Sequence, residues 1–144
     1  MIYRFLACLF IFSNYTFARS TKVICSNEYS TTEAIVLYIF TGSDWCVNCK
    51  RFEKKVLNDS VFLKAIADNH VKIKILDFPQ RKKLSPETIS YNQGISEEFG
   101  FNGTFPTLVL SSKSSKKFKT FYYNNENGTA FSKIVLNELK KLNE

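Results

Sequence analysis

The sequence has 144 residues, 44% of them hydrophobic, and a formal net charge of +7. This length suits one domain with a single hydrophobic core and leaves little room for two. Basic clusters at 81–83 and 113–119 would suit acidic partners, nucleic acid or an anionic membrane surface. Such clusters are more often solvated loops and strand faces. No nucleic-acid-binding motif accompanies these clusters, so we predict no nucleic-acid partner.

Residues 1–18 have the pattern of a secretory signal peptide. A basic residue precedes the apolar run 5–12, and the small residues Thr16 and Ala18 occupy the positions of a signal-peptidase site. The run is much shorter than the roughly 20 residues of a bilayer span, which argues against an uncleaved anchor. We therefore predict cleavage after Ala18 and export to the periplasm or another extracytoplasmic compartment. Cys8 then belongs to the removed segment.

Residues 19–33 are polar and lack periodicity, which indicates a flexible N-terminal segment before a domain that spans 34–144. This segment holds Cys25, which remains with two other cysteines after removal of the signal peptide. An odd number of cysteines cannot form a purely structural disulfide framework. Cys25 is either an idle thiol or a site of intermolecular pairing, and we favour the idle thiol.

The predicted domain begins with a strand and a helix. Seven consecutive apolar residues, Ala34–Phe40, predict a strand that is buried on both faces. Turn and N-cap residues follow at 41–44, and a helical pattern extends from Cys46 to about Leu57. One face of this helix, at three- and four-residue spacings, carries Cys49, Phe52, Glu53 and Val56.

The remaining elements alternate in type. In chain order they are a helix over 61–67, a strand over 71–75, a helix from Pro86 to Gly100, a hairpin of strands 107–110 and 116–123, and a helix over 129–142. Lysines alternate with apolar residues along 71–75, which indicates an edge strand or a strand with one wet face. In the helix that begins at Pro86, we expect Ile89, Ile95 and Phe99 to point inward. This order of elements predicts an α/β sandwich.

Cys46 and Cys49 form a Cys-X-X-Cys pair directly after a predicted buried strand, at the start of a helix. That context indicates redox chemistry. The free N–H groups and the dipole at a helix N-terminus favour a thiolate at the first cysteine and lower its pKa from about 8.5. We expect Cys46 to be the exposed nucleophile and Cys49, which faces the core, to be the resolving thiol.

Other uses of the cysteine pair fit the sequence less well. A zinc site needs four ligands, and besides the pair the candidates are Cys25 and His70. A haem attachment motif needs histidine at the position of Lys50. A purely structural disulfide so close to a helix start is a further, minor alternative. We predict no metal and no cofactor other than the redox-active Cys46–Cys49 disulfide.

Three stretches of the sequence, 40–53 around the dithiol, 77–79 and 103–107, together resemble thioredoxin-like proteins. In detail the pattern is similar to the envelope disulfide-bond (Dsb) type, especially the C-terminal domain of DsbD and related small envelope reductases. The resemblance implies a thioredoxin fold, with a central mixed sheet flanked by helices on both faces. It also implies a monomeric thiol-disulfide oxidoreductase, of the protein-disulfide reductase type. Its partners would be disulfide- or thiol-containing envelope proteins and a membrane or soluble electron donor.

The same resemblance implies a substrate-binding surface formed by Trp45, Phe105 and Pro106. In the family the proline at the position of Pro106 is cis and packs against the dithiol, which would bring Phe105 beside Cys46. From the sequence alone, Pro106 equally fits a trans proline at the start of a strand. Trp45, the single tryptophan, either shields the dithiol or anchors core packing.

The usual proton acceptor of thioredoxins proper, a buried aspartate, is absent, because Phe40 occupies its position. Two other acidic residues near the dithiol, Glu53 and Asp44, have alternative interpretations. Glu53 matches an acidic residue of the Dsb-type domain and, four residues after Cys49, is a candidate catalytic residue. Alternatively, Glu53 is a surface carboxylate paired with a lysine such as Lys50 or Lys54. Asp44 is either an N-cap or a modulator of the dithiol.

Val47 and Asn48 lie between the cysteines and are expected, with Asp44, to tune the redox potential. Two other functions remain open from the sequence. One is a disulfide oxidant or isomerase, which differs from a reductase in redox poise. The other is a non-catalytic thioredoxin-fold module that binds unfolded chains in the groove beside the proline.

Overall fold

A computed structural model of the protein describes residues 35–113 and 115–143. The predicted signal peptide 1–18 and the segment 19–33, with Cys25, lie outside the described residues and stay predictions. Within the described ranges, none of the helices has both the length and the apolar character needed to cross a membrane.

Four strands form one mixed sheet in the order β2-β1-β3-β4. They are β1 (Ile35–Thr41), β2 (Lys72–Asp77), β3 (Thr107–Ser112) and β4 (Phe118–Tyr122). Strand β1 pairs parallel with β2 and antiparallel with β3, and β3 pairs antiparallel with β4. The apolar run that predicted a buried strand therefore lies inside the sheet, and the lysine-rich strand lies at its edge, as expected from their composition.

The helices are α1 (Val47–Phe52), α2 (Ser60–Asp68), α3 (Pro86–Glu98) and α4 (Gly128–Asn143). A π-helical turn, Glu53–Leu57, continues α1, so the single predicted helix changes its hydrogen-bond pattern halfway. Side-chain caps fix two helix starts. Asp59 accepts the amide of Phe62, and Ser85 accepts the amide of Thr88 with Pro86 in the first turn.

Each face of the sheet carries its own hydrophobic core. On one face Leu37, Ile39, Leu108 and Leu110 pack against α1, the π-helical turn, α2 and α4. Phe131 of α4 is fully buried at the centre of this core. Its ring contacts the rings of Phe52, Phe62, Phe121 and Tyr123, with centroids 5.2 to 6.1 Å apart.

The second core lies under α3 and under the loops that precede β3. It consists of Val36, Tyr38, Phe40, Leu76, Phe99 and Val109, with Phe78, Ile95, Phe101 and Phe105 packed around them. Alternate residues of β1 thus contribute to opposite cores, which explains why the strand reads as one continuous apolar run. Helices cover both faces of the sheet, as predicted.

One inward position of α3 was predicted incorrectly. Ile89 is 43% exposed, whereas Asn92 of the same helix is 3% exposed. The side-chain amide of Asn92 donates a 2.8 Å hydrogen bond to the backbone oxygen of Asp77, at the end of β2. A polar residue can take the buried position because this bond satisfies both groups.

Replacement of Phe131 tests the first core. We expect Phe131→Ala to lower the free energy of unfolding by about 3–5 kcal/mol, because it removes a fully buried ring and leaves a cavity. Urea unfolding followed by circular dichroism measures this change. Val61→Ala, at an exposed position of α2, is the control and should change stability by less than about 0.5 kcal/mol. Equal effects of the two substitutions would contradict this account of the core.

Candidate active site

The two cysteines lie where β1 ends and α1 begins, and they form a disulfide with Cα atoms 5.2 Å apart. A turn at Gly42 connects the two elements, since its backbone oxygen accepts the amide of Cys46 at 2.9 Å. Cys46 is the N-cap of α1, and its Sγ accepts the amide of Cys49 at 3.1 Å. A sulfur atom therefore occupies the place that a serine or aspartate oxygen takes at other helix starts.

Both cysteines are buried in this disulfide form. Cys46 is 6% exposed and Cys49 is 3% exposed. The expectation of an exposed Cys46 is therefore wrong for the oxidised protein. The reason is geometric, because the disulfide and the bond from the Cys49 amide hold the Sγ of Cys46 over the first turn of α1.

Aromatic rings form a platform next to the dithiol. Trp45, which directly precedes Cys46, meets the ring of Phe105 edge to face, with centroids 5.3 Å apart. Phe105 also contacts Phe101 and Phe78, at 5.0 and 5.7 Å. The peptide bond between Phe105 and Pro106 is cis. The structure thus brings together Trp45, Phe105 and Pro106, three residues that sequence reasoning assigned to one surface.

The residues between the cysteines point outward. Val47 is 61% exposed, and Asn48 is exposed and accepts a hydrogen bond from the guanidinium of Arg51 at 3.2 Å. Trp45 packs over Gly42, where a Cβ would lie about 2.5 Å from the indole ring. Glycine is therefore needed at position 42 for the indole to lie in this place.

Three consecutive residues before Cys46 bind the last residue of β2 and the chain that follows it. The amide and hydroxyl of Ser43 donate to the carboxylate of Asp77 at 2.8 and 2.7 Å. The indole N–H of Trp45 donates to the backbone oxygen of Phe78 at 2.8 Å. Sequence reasoning gave Asp77 no role. Its position could have indicated a role, because Asp77 lies at the carboxyl end of a strand parallel to β1. The carboxyl ends of parallel strands meet at one end of the sheet, where the dithiol also lies.

Asp44, between these two residues, makes the largest number of these hydrogen bonds. Its carboxylate accepts the backbone amides of Gln80, Arg81 and Lys82 at 3.0, 2.7 and 3.1 Å. These bonds, with the one from Gln80 foremost, hold the pKa of Asp44 below its ordinary value of 3.8. The N-cap alternative for Asp44 is wrong, because Cys46 is the N-cap.

Glu53 and Cys49 line one cavity of about 370 Å³, together with Asp77 and Ser43. The ion pairs found among residues 35–113 and 115–143 are Lys64–Asp68 and Lys141–Glu138. Glu53 is therefore not paired with Lys50 or Lys54, and the alternative of an ordinary surface ion pair is wrong in this structure. Glu53 is nevertheless exposed to solvent, so its carboxylate lies at the outer side of the cavity that Cys49 lines.

In the described part of the chain, no group of three or more histidine, cysteine, aspartate or glutamate side chains is arranged to hold a metal ion. His70 is exposed just beyond the end of α2.

Comparison with known proteins agrees with this geometry. A family profile described as thioredoxin-like matches residues 28–111. A curated relative, the disulfide bond reductase DsbH of Chlamydia pneumoniae, is 30% identical over 105 residues, which cover 73% of this chain and 62% of the relative. The match thus spans less than two thirds of that relative's length.

A solved structure described as a DsbH oxidoreductase superimposes with a TM-score of 0.67 at 28% identity. The match covers 75% of this chain and 74% of the other. The predicted thioredoxin fold and the resemblance to the Dsb type are therefore confirmed.

Removal of the Asp44 charge tests the link to the chain after β2. In Asp44→Asn we expect the amides of residues 80–82 to exchange with deuterium at least about tenfold faster, because a neutral amide accepts three N–H bonds less well than a carboxylate. Since its folded pKa is lowered, the wild-type link is complete above the ordinary aspartate value of 3.8. It is lost as the pH falls from there through the lower folded pKa. Hydrogen exchange by mass spectrometry measures both effects, and unchanged exchange in the variant would contradict them.

Proposed function

We propose that this chain, which belongs to the thioredoxin-like family, is a thiol-disulfide oxidoreductase that reduces disulfides of envelope proteins through Cys46 and Cys49. The observation that carries the proposal is the disulfide at the start of α1, with the Sγ of Cys46 accepting the amide of Cys49. The direction is supported by the name of the relative, a disulfide bond reductase. The envelope location rests on the predicted signal peptide.

In the reduced form, Cys46 is the nucleophile. The same amide that bonds its sulfur in the disulfide stabilises a thiolate there, and the positive end of the helix dipole adds to this effect. The thiolate attacks one sulfur of the substrate disulfide and releases the other as a thiolate, which leaves a mixed disulfide. Cys49 then attacks the sulfur of Cys46 and releases the second substrate thiolate. Two electrons pass to the substrate, and a membrane or soluble donor must restore the dithiol.

The aromatic platform is the proposed substrate-binding surface. Trp45 and Val47 are exposed on either side of Cys46 in the sequence, and Phe105 packs against Trp45. These apolar groups suit the backbone and apolar side chains that surround a disulfide in an unfolded or partly folded protein. Pro106, which is buried behind Phe105, positions this surface.

Glu53 is the proposed proton acceptor for Cys49. Both residues line the 370 Å³ cavity, and the backbone oxygen of Cys49 accepts the backbone amide of Glu53. Cys49 must lose its proton before it can resolve the mixed disulfide, and it is nearly inaccessible from the outer surface. A carboxylate that reaches the thiol directly or through one water supplies that step. Asp44, Val47 and Asn48 would adjust the potential of the pair.

Single cysteine variants test the order of attack. We expect Cys46→Ser to abolish reduction of insulin disulfides, because the attacking thiolate is lost. Cys49→Ser should instead accumulate a mixed disulfide with the substrate, visible on non-reducing gels, because the resolving thiol is lost. Equilibration of the wild type with glutathione should give a reduction potential near about −270 mV. Wild-type turnover in both variants, or a potential near about −120 mV, would contradict the proposed reductase.

Replacement of Glu53 tests proton transfer. In Glu53→Gln we expect the mixed disulfide to be resolved about tenfold or more slowly at neutral pH, because the thiol of Cys49 has lost its acceptor. The difference should shrink as the pH rises, because hydroxide then removes the thiol proton without the carboxylate. Acid-quenched single-turnover reactions give this rate. Glu97→Gln, on the exposed side of α3, is the matched control and should leave the rate unchanged.

A further inference from the structure

We propose that the basic loop, Arg81–Lys83, is a docking surface for acidic segments of the disulfide-containing substrate protein. The inference rests on the proposed function and names the kind of substrate that the dithiol takes. The three basic side chains take no part in the proposed disulfide exchange itself.

Hydrogen bonds hold the basic loop beside the dithiol. The carboxylate of Asp44, two residues before Cys46, accepts the backbone amides of Arg81 and Lys82 at 2.7 and 3.1 Å. The loop contributes only backbone amides to these bonds, and its three basic side chains are exposed and available to a partner. The basic loop is therefore tied to the segment that leads directly into Cys46.

A further cation converges on the same place. The Nζ of Lys50 lies 3.3 Å from the backbone oxygen of Asp44. Neither Lys50 nor any side chain of the basic loop takes part in an ion pair within residues 35–113 and 115–143. Three carboxylates also lie near the dithiol, those of Asp44, Asp77 and Glu53, and their bonds to neutral groups do not cancel their charge. The four cations outnumber them, so the rim of the dithiol carries an excess of positive charge.

An apolar groove adjoins these charges. It has a volume of about 460 Å³ and is lined by Phe78, Leu84 and Ile89, with Lys82 and Lys83 also part of its wall. The exposed Ile89, which the sequence pattern wrongly assigned to the core, belongs to this groove. An extended segment that combines acidic residues with an apolar side chain complements both the charge and the groove.

Charges of this kind act mainly on the rate of encounter. An oppositely charged partner can associate about 10- to 1000-fold faster than a neutral one, and the advantage declines with ionic strength. Because the basic loop adjoins the nucleophile, faster encounter there becomes faster disulfide exchange. The second basic cluster, at 113–119, follows the end of β3 that pairs with Ile35, at the opposite end of the sheet. It should give no such advantage.

The test uses three cyclic peptides with the same disulfide ring, flanked by glutamates, glutamines or lysines. The full chain is reduced, freed of reductant and mixed with each peptide in excess at low ionic strength. Acid quenching gives the second-order rate constant for oxidation of the dithiol. No added donor is needed, because two electrons pass from Cys46 and Cys49 to the peptide disulfide in a single turnover.

We expect the wild type to reduce the acidic peptide about tenfold faster than the neutral one, with the lysine peptide slowest. The variant Arg81→Gln/Lys82→Gln/Lys83→Gln should lower the acidic-to-neutral ratio to about twofold or less. The control Lys113→Gln/Lys116→Asn/Lys117→Gln removes the same charge and should keep the ratio. Asparagine is used at 116 because φ there is +54°, a conformation that it tolerates.

Other results would overturn the inference. A wild type that reduces all three peptides at one rate has no acidic docking surface, although the proposed function stands. If no peptide is reduced, the proposed function itself fails. Equal loss of preference in both triple variants would show an effect of net charge alone. If the loop variant keeps the preference but loses binding to anionic phospholipid vesicles, the loop serves a membrane surface instead.

Discussion

The hydrogen bond from the amide of Cys49 to the sulfur of Cys46 joins the fold of this protein to its chemistry. It forms because a turn at Gly42 follows the C-terminal end of β1, and α1 then begins with a cysteine as its N-cap. Every other feature of the site is arranged around that helix start. A free amide in the first turn of a helix needs an acceptor, and here the acceptor is the sulfur that we propose as the nucleophile.

The segment that precedes the dithiol also organises the chain after β2. Ser43, Asp44 and Trp45 bond in succession to Asp77, to the amides of 80–82 and to Phe78. The amides of residues 80–82 belong to no helix or strand, and these bonds hold that loop in place. The aromatic platform and the positively charged loop consequently adjoin each other at Phe78, although the loop is more than thirty residues away from Asp44 in sequence.

Features set by local pattern could be predicted from the sequence, and features set by distant partners could not. The apolar run of β1, the helical pattern over 129–142 and the cysteine pair at a helix start all follow from neighbouring residues. The link from Asp44 to 80–82 depends on where β2 delivers the chain. Asn92 is buried and Ile89 exposed because the side-chain amide of Asn92 bonds to the backbone oxygen of Asp77, the last residue of β2. The burial of Cys46 depends on the disulfide itself, which periodicity does not encode.

The position of the charges also limits what they can do. Side chains at an exposed rim are screened within about 8–10 Å at physiological salt and hold a bound partner weakly. They change the association rate of a partner more than its dissociation rate. In the proposed reaction that asymmetry lets the product leave after two electrons have moved, because a deeply buried ion pair would retain the reduced substrate. We assign the tighter contact to the aromatic platform, which would act while the mixed disulfide holds both proteins together. The charged loop and the aromatic platform would then serve successive stages of one exchange.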